Sequence, residues 1–300
     1  MSRTAWAWIR IAGSAITLTV LVWRLGTSPF LDGVRAVDGR VLAAAAGLAL
    51  LTTVCCAWRW KVVANGLGVD LPLPAAVAAY YRSIFLNVTL PGGVVGDIHR
   101  GVSHGRDVSD VGRGLRAVVW ERSAGQAVQV VITVVVLLVL PSPVRSSMVP
   151  VAVALVVAVL GAALVARAHR PAWLRVRSAA AVALASVVVV CGHAATFIIA
   201  ARAAGTAAPF DRMLPVVMLA MVLMVLPSIG GWGPREGAAA WVFAAAGLGA
   251  RQGVAAAVTY SVVMFVASLP GAAVLVVSWS SRLRAADPLE PPLAREPADA

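Results

Sequence analysis

Long apolar blocks decide what this chain can become. They run near residues 8–23, 41–58, 118–140, 149–166, 180–200 and 254–279. A stretch of about 18 or more apolar residues is long enough to cross a bilayer as a helix. Backbone groups left open to lipid cost several kcal/mol each, so non-helical chain at that depth survives only inside protein or a wet cavity. The sequence therefore predicts an all-α, polytopic helical membrane protein with about six full spans. Only 13% of its residues are charged and 60% are hydrophobic, whereas soluble domains carry about 25% charged residues.

Three apolar pieces are too short or too interrupted for ordinary spans: 75–90, 213–226 and 237–249. They read as half-helices or re-entrant segments and bring the expected crossings to seven or eight. The expected division is an integral membrane domain over 1–284 and a disordered cytoplasmic tail over 285–300, which holds four prolines and no apolar period. The block from Trp8 ends at Trp23-Arg24 without a small-residue cleavage site, so it reads as a retained first helix.

The formal net charge is +12. The arginines sit between apolar blocks, which points to membrane orientation and anionic headgroups and away from nucleic acid. With the N-terminus inside, seventeen basic residues fall on internal segments and seven on external ones, with Arg122 left within a span. Both termini are predicted cytoplasmic, in the plasma membrane. All ten tryptophans lie at or near block ends, as an interfacial belt would place them. Cys55, Cys56 and Cys191 form neither a disulfide framework nor a metal spacing. His99 and His104 flank Arg100 with no further ligand, so no metal and no cofactor are expected. Nucleotide-binding, serine-hydrolase and zinc-protease motifs are all missing from the sequence, and no catalytic residue is assigned.

Two stretches break the apolar pattern, LPGGVVGDIHRG at 90–101 and LPSIGGWGPREG at 226–237. Each follows a shortened apolar segment and carries an arginine and an acid: Arg100 with Asp97, and Arg235 with Glu236. Paired Gly/Pro interruptions in two halves are a transporter feature, with the freed helix ends facing the substrate. Both stretches also read as interfacial loops whose charges sit in water. If they are interrupted elements, 75–100 and 213–249 should pack against each other at the domain centre. A third charged pair, Glu121-Arg122, opens the span that follows. Helical spacing puts Arg122, Gln126 and Gln129 on one face, and Glu121 should face protein or a cavity if it lies within the bilayer. His193, mid-span, reads mainly as a helix–helix hydrogen-bonding residue.

Taken together, LPGGVVGDIHR, the ER of VVWERSAGQ, and LPSIGGWGPREGAAAWVF followed by SLPGAAVL resemble the lysylphosphatidylglycerol synthase transmembrane-domain family, also described as flippase-like. The resemblance covers about 80–275, with CAWRW at 56–60 agreeing loosely upstream. It implies a domain that moves lipids between leaflets. It places substrate-binding residues at Gly96, Asp97, Arg100, Glu121, Arg122, Gly231, Gly233, Arg235 and Glu236. The best-known members move aminoacylated phosphatidylglycerol and carry a soluble aminoacyltransferase domain, and no segment of this sequence reads as one. The expectation is a flippase or transporter for a phospholipid or polyprenyl-linked lipid, not an enzyme. A membrane-embedded transferase and an accessory subunit of an envelope glycosyltransferase are the alternatives. The expected partners are membrane lipids and a separate envelope synthase or glycosyltransferase, with a homodimer left open.

Overall fold

The computed structural model describes residues 3–90, 93–140, 176–224 and 233–286, with isolated positions between 150 and 161. Every regular element among them is a helix. In chain order these are α1 (Arg3–Leu25), α2 (Ser28–Arg35), α3 (Gly39–Gly66), α4 (Leu73–Thr89), α5 (Val95–Asp107), α6 (Val111–Val139), α7 (Val176–Ala203), α8 (Phe210–Leu223), α9 (Pro234–Ala245) and α10 (Ala250–Ala286).

Local chemistry sets several boundaries. Asp38 and Asp110 cap α3 and α6, accepting hydrogen bonds of 2.8 Å from the Val41 and Arg113 amides. Proline in the first turn opens α4 and α9, where a missing N–H costs nothing.

Four helices are long and apolar enough to cross a membrane: Gly39–Gly66, Val111–Val139, Ser178–Ala203 and Ala250–Ser280. They contain the expected spans at 41–58, 180–200 and 254–279 and all but the last residue of the one at 118–140. The fifth candidate is a bent pair, Ala12–Leu25 with Ser28–Arg35, whose axes differ by 98°. The expected span 8–23 thus continues into a helix lying across it. Most of the expected span 149–166 lies outside the described residues, as does the tail from 287. The three short segments are helices of 17, 14 and 12 residues, α4, α8 and α9. At 1.5 Å per residue they reach only about 26, 21 and 18 Å, against a hydrocarbon core of about 30 Å.

The 37-residue α10 organises the packing, with α2, α3, α4, α7 and α9 against it. This corrects the expected contact between the two interrupted elements. Among the described residues, α4–α5 and α8–α9 share no extensive interface, and α4 and α9 each pack along α10 instead. Small residues bring the helices close, as membrane packing favours. A Cβ on Gly253 or Gly271 would fall 2.7 Å from the carbonyl carbon of Ala239 or Tyr81. The larger apolar cluster joins α7, α8, α9 and α10 around Phe197, Met213, Met218 and Phe243, and a second surrounds Trp60 and Tyr80 between α3, α4 and α6.

Candidate functional site

Five charged side chains from α3, α5 and α6 alternate in sign through the interior: Arg59, Glu121, Arg100, Asp97, Arg122. On α5, Asp97 and Arg100 are one turn apart and pair through Arg100 Nε at 3.1 Å. Arg100 Nη2 reaches Glu121 Oε2 at 2.7 Å. On the other side of Glu121, Arg59 donates from Nε to Oε1 at 2.8 Å and from Nη2 to the same oxygen. At the other end, Arg122 Nη2 donates to Asp97 Oδ2. The chain holds three cations and two anions.

Neutral groups complete both carboxylates. Tyr80 donates its hydroxyl to Glu121 Oε1 at 3.1 Å. Ser83 donates to Asp97 Oδ1 at 3.1 Å, and Asn87 Nδ2 to Asp97 Oδ2 at 2.9 Å. Each carboxylate therefore accepts four hydrogen bonds, matching its roughly four lone-pair directions. The Arg59 Nη1 donates to Ser186 Oγ on α7 at 2.9 Å. The Arg100 guanidinium lies 4.2 Å from the Tyr80 ring centre and 4.7 Å from that of Trp60, in cation–π range.

Gly96 makes this arrangement possible. A Cβ there would stand 2.7 Å from Ser83 Cα, so any larger residue would push α5 off α4 and Asp97 off Ser83 and Asn87. The Gly96 amide also donates to Asn87 Oδ1 at 2.8 Å.

Beside the chain lies a cavity of about 210 Å³ between α3, α4, α6, α7, α8 and α10. Its polar wall carries Thr52, Thr53, Arg59, Tyr80, Arg122, Gln126 and Gln129, with His193 and Ser268 facing it. Val189, Val190, Met221 and Met264 supply apolar surface. The spacing of Arg122, Gln126 and Gln129 does put them on one face. His193 Nδ1 lies 3.2 Å from the Tyr260 hydroxyl, joining α7 to α10. The Arg235 guanidinium stands 5.7 Å from the Tyr260 ring centre, and its Nη1 donates to Ser261 Oγ at 3.2 Å. Its buried Nε has no hydrogen-bond partner among the described residues.

Several expectations change. Glu121 is not at the start of its span: α6 begins at Val111 because its first turns pack on α5, and Glu121 is fully buried. Arg100 is sealed, with a side chain that has no accessible surface. Glu236 makes no ion pair with Arg235. It instead caps α9, accepting the Gly233 amide at 2.6 Å. Gly233 has φ +94 and lies against Ser14 of α1, two reasons for glycine there. Gly231 and Trp232 lie outside the described residues. Trp60, read as part of the interfacial belt, is only 1% exposed. Arg59 was counted among the internal basic residues. An arginine between two tryptophans looks interfacial, but α3 continues to Gly66 and carries it inside.

At the far end of α5, His104 meets Trp60 edge-on at 5.4 Å. Burial pushes its imidazole below the ordinary value, against the opposing pull of Asp107. Among the described residues no group of three or more His, Cys, Asp or Glu could hold a metal ion.

A search of curated proteins gives no match to the chain. A family comparison does, over residues 7–271, which takes in the ion-pair chain, the cavity and both Gly/Pro breaks. Helices long enough to span a membrane agree with that match, and the chain belongs to the family described as the lysylphosphatidylglycerol synthase TM region.

Proposed function

We propose that this multi-pass membrane protein moves a phosphate-bearing lipid between leaflets, holding the headgroup in the central cavity while the hydrocarbon chains stay in the bilayer. Membership of a membrane lipid family supports a lipid-related role. The observation that carries the finer reading is Arg122. Its side chain keeps 44% of its surface accessible, lines the cavity, and has one carboxylate partner. A guanidinium so placed can grip a phosphate through two parallel hydrogen bonds. The cavity is smaller than the roughly 300–1,000 Å³ typical of drug-sized sites, a size for a headgroup and not a whole lipid.

In this reading Arg122 meets the phosphate and Arg235 adds positive field behind Tyr260. Asp97 and Glu121 hold the arginines in place, and Gly96, Gly233 and Glu236 shape the segments beside the breaks. No chemical step is assigned. A transferase using Asp97 or Glu121 as general base would need an open acceptor position, and both carboxylates already accept four hydrogen bonds. Both termini are proposed to lie in the cytoplasm and the protein in the plasma membrane, on the excess of basic residues in the internal segments. A reporter active only in the cytoplasm, fused after Ala300, should be active, and activity solely outside the cell refutes the orientation.

The test of function is reconstitution into liposomes with tail-fluorescent phosphatidylglycerol, following exposure to a membrane-impermeant quencher. The full chain should accelerate exchange, and Arg122→Ala should slow it by about tenfold or more. Exchange at the protein-free rate removes the transport reading. Co-purification with an envelope glycosyltransferase, without lipid movement, would favour the accessory role.

A further inference from the structure

Among the described residues, the central cavity offers cationic and neutral donors and no acid. Three acidic residues are buried among the described residues: Asp97, Glu121 and Glu236. The first two have four donors each, from Arg59, Arg100, Arg122, Tyr80, Ser83 and Asn87. Glu236 is committed to the first turn of α9 and to Ser261. Among the described residues, no Asp or Glu lines the cavity. The sequence from 141 to 175 and from 225 to 232 contains no acid either.

The donor side is different. Arg122 bonds Asp97 through one nitrogen, and its other N–H groups make no hydrogen bond among the described residues. The side chains of Gln126 and Gln129 line the same wall. Arg235, behind Tyr260, has no carboxylate within ion-pair distance among the described residues, and its buried Nε is unpartnered. In and behind the cavity wall, Arg59, Arg100, Arg122 and Arg235 carry four positive charges against three on Asp97, Glu121 and Glu236, the last sharing Ser261 with Arg235. A phosphate oxyanion answers this excess. An ammonium entering the same space meets Arg122 and finds no carboxylate with an open acceptor position, since Asp97 and Glu121 each already accept four hydrogen bonds, and like charges in contact cost several kcal/mol.

We infer that the cavity selects lipids whose heads carry phosphate and no ammonium, and rejects heads bearing one, aminoacylated heads included. The inference rests on the transport reading for its occupant being a lipid, and concerns which lipid that is.

Binding and movement are measured separately on the full chain. For binding, protein in detergent is offered an equimolar mixture of phosphatidylglycerol, phosphatidylethanolamine and lysylphosphatidylglycerol, and the complexes are counted by native mass spectrometry. Phosphatidylglycerol should be favoured by about tenfold or more over each of the others. Arg122→Gln should remove most of that preference. Gln126→Glu, which places an acid on the cavity wall, should shift it toward the ammonium lipids by about tenfold. Thermal melts of both variants near the wild-type temperature make the result interpretable, and Gln129→Glu serves if Gln126→Glu fails to fold. Equal binding of the three lipids, or a preference for either ammonium lipid, overturns the inference. So does binding of soluble glycerol phosphate as tight as that of phosphatidylglycerol, since the ligand would then be a free phosphate. For movement, the same lipids are followed in liposomes. Selective binding without exchange retires transport and keeps the inference. Equal exchange of all three keeps transport and retires the inference.

Discussion

Glu121→Gln is the sharpest test of the interior ion-pair chain. The substitution keeps the shape of the side chain and removes one charge. In the folded protein Glu121 is fully buried and accepts hydrogen bonds from Arg59, Arg100 and Tyr80. Glutamine loses the ion pair with Arg59, whose other bonds are to Ser186 and Cys56. It also turns an N–H₂ toward groups that are themselves donors. Removing one partner of a buried pair costs about 3–5 kcal/mol, because the remaining charge is stranded. For a protein of a few hundred residues, about 1 kcal/mol lowers the melting temperature by roughly 2–4 °C. The expected loss is then roughly 6–20 °C. The measurement is thermal unfolding of purified protein in one detergent, read by a thiol- or tryptophan-reporting dye. The control is Arg113→Ala, whose exposed pair with Asp110 at 3.2 Å belongs to a class worth about 0–1 kcal/mol. If Glu121→Gln melts within the spread of that control, the alternating chain does not hold α3, α5 and α6 together.

Gly96→Ala should destabilise by about 1–3 kcal/mol and slow exchange, since α5 must move off Ser83; an unchanged melt removes the close-approach argument. Arg235→Lys should slow transport although the charge is kept, and Arg235→Ala should slow it further, with exposed Arg251→Lys as the neutral comparison. For His104 the folded imidazole titrates below its ordinary value. The unfolded chain therefore binds more protons, and stability falls as pH drops from about 7 through the unfolded pKa near 6.5. Melting temperatures at pH 7.5 and 5.5 should differ less in His104→Gln than in wild type. Equal differences mean that this imidazole does not couple to folding.

The membrane-spanning class was legible because its signal is length and composition, which need no partner. The observed long helices cover four of the six expected spans, one of them all but its last residue, and run up to eight residues beyond them, and the three short segments are short helices. Periodicity also found the Arg122–Gln126–Gln129 face. The pairing of helices could not be read the same way. Arg59 looks interfacial until a carboxylate 62 residues later claims it, and no local pattern in CCAWRWKVV announces that. Asp97 and Arg100 stood out because they sit in a Gly/Pro break directly after a shortened apolar segment. Which of them faces a ligand depends on α4 supplying Ser83 and Asn87, a tertiary fact. The packing expected between the two interrupted elements was not legible for a similar reason. Matching motifs suggested a matching pair, but among the described residues α4 and α9 each pack on the 37-residue α10 instead.

The sequence distance within the ion-pair chain also sets a timetable for biosynthesis. Arg59 leaves the ribosome 62 residues before Glu121. At roughly 5–20 residues per second, its counter-ion is about 3–12 s behind. During that interval α3 carries an unmatched cation, which costs about 2.5–3.5 kcal/mol at the centre of a bilayer. The 28-residue length of α3 lets the helix sit off-centre, with Arg59 near the headgroups, until α5 and α6 emerge. Final seating of α3 is thus a late event, complete only once Glu121 has arrived to pair with Arg59.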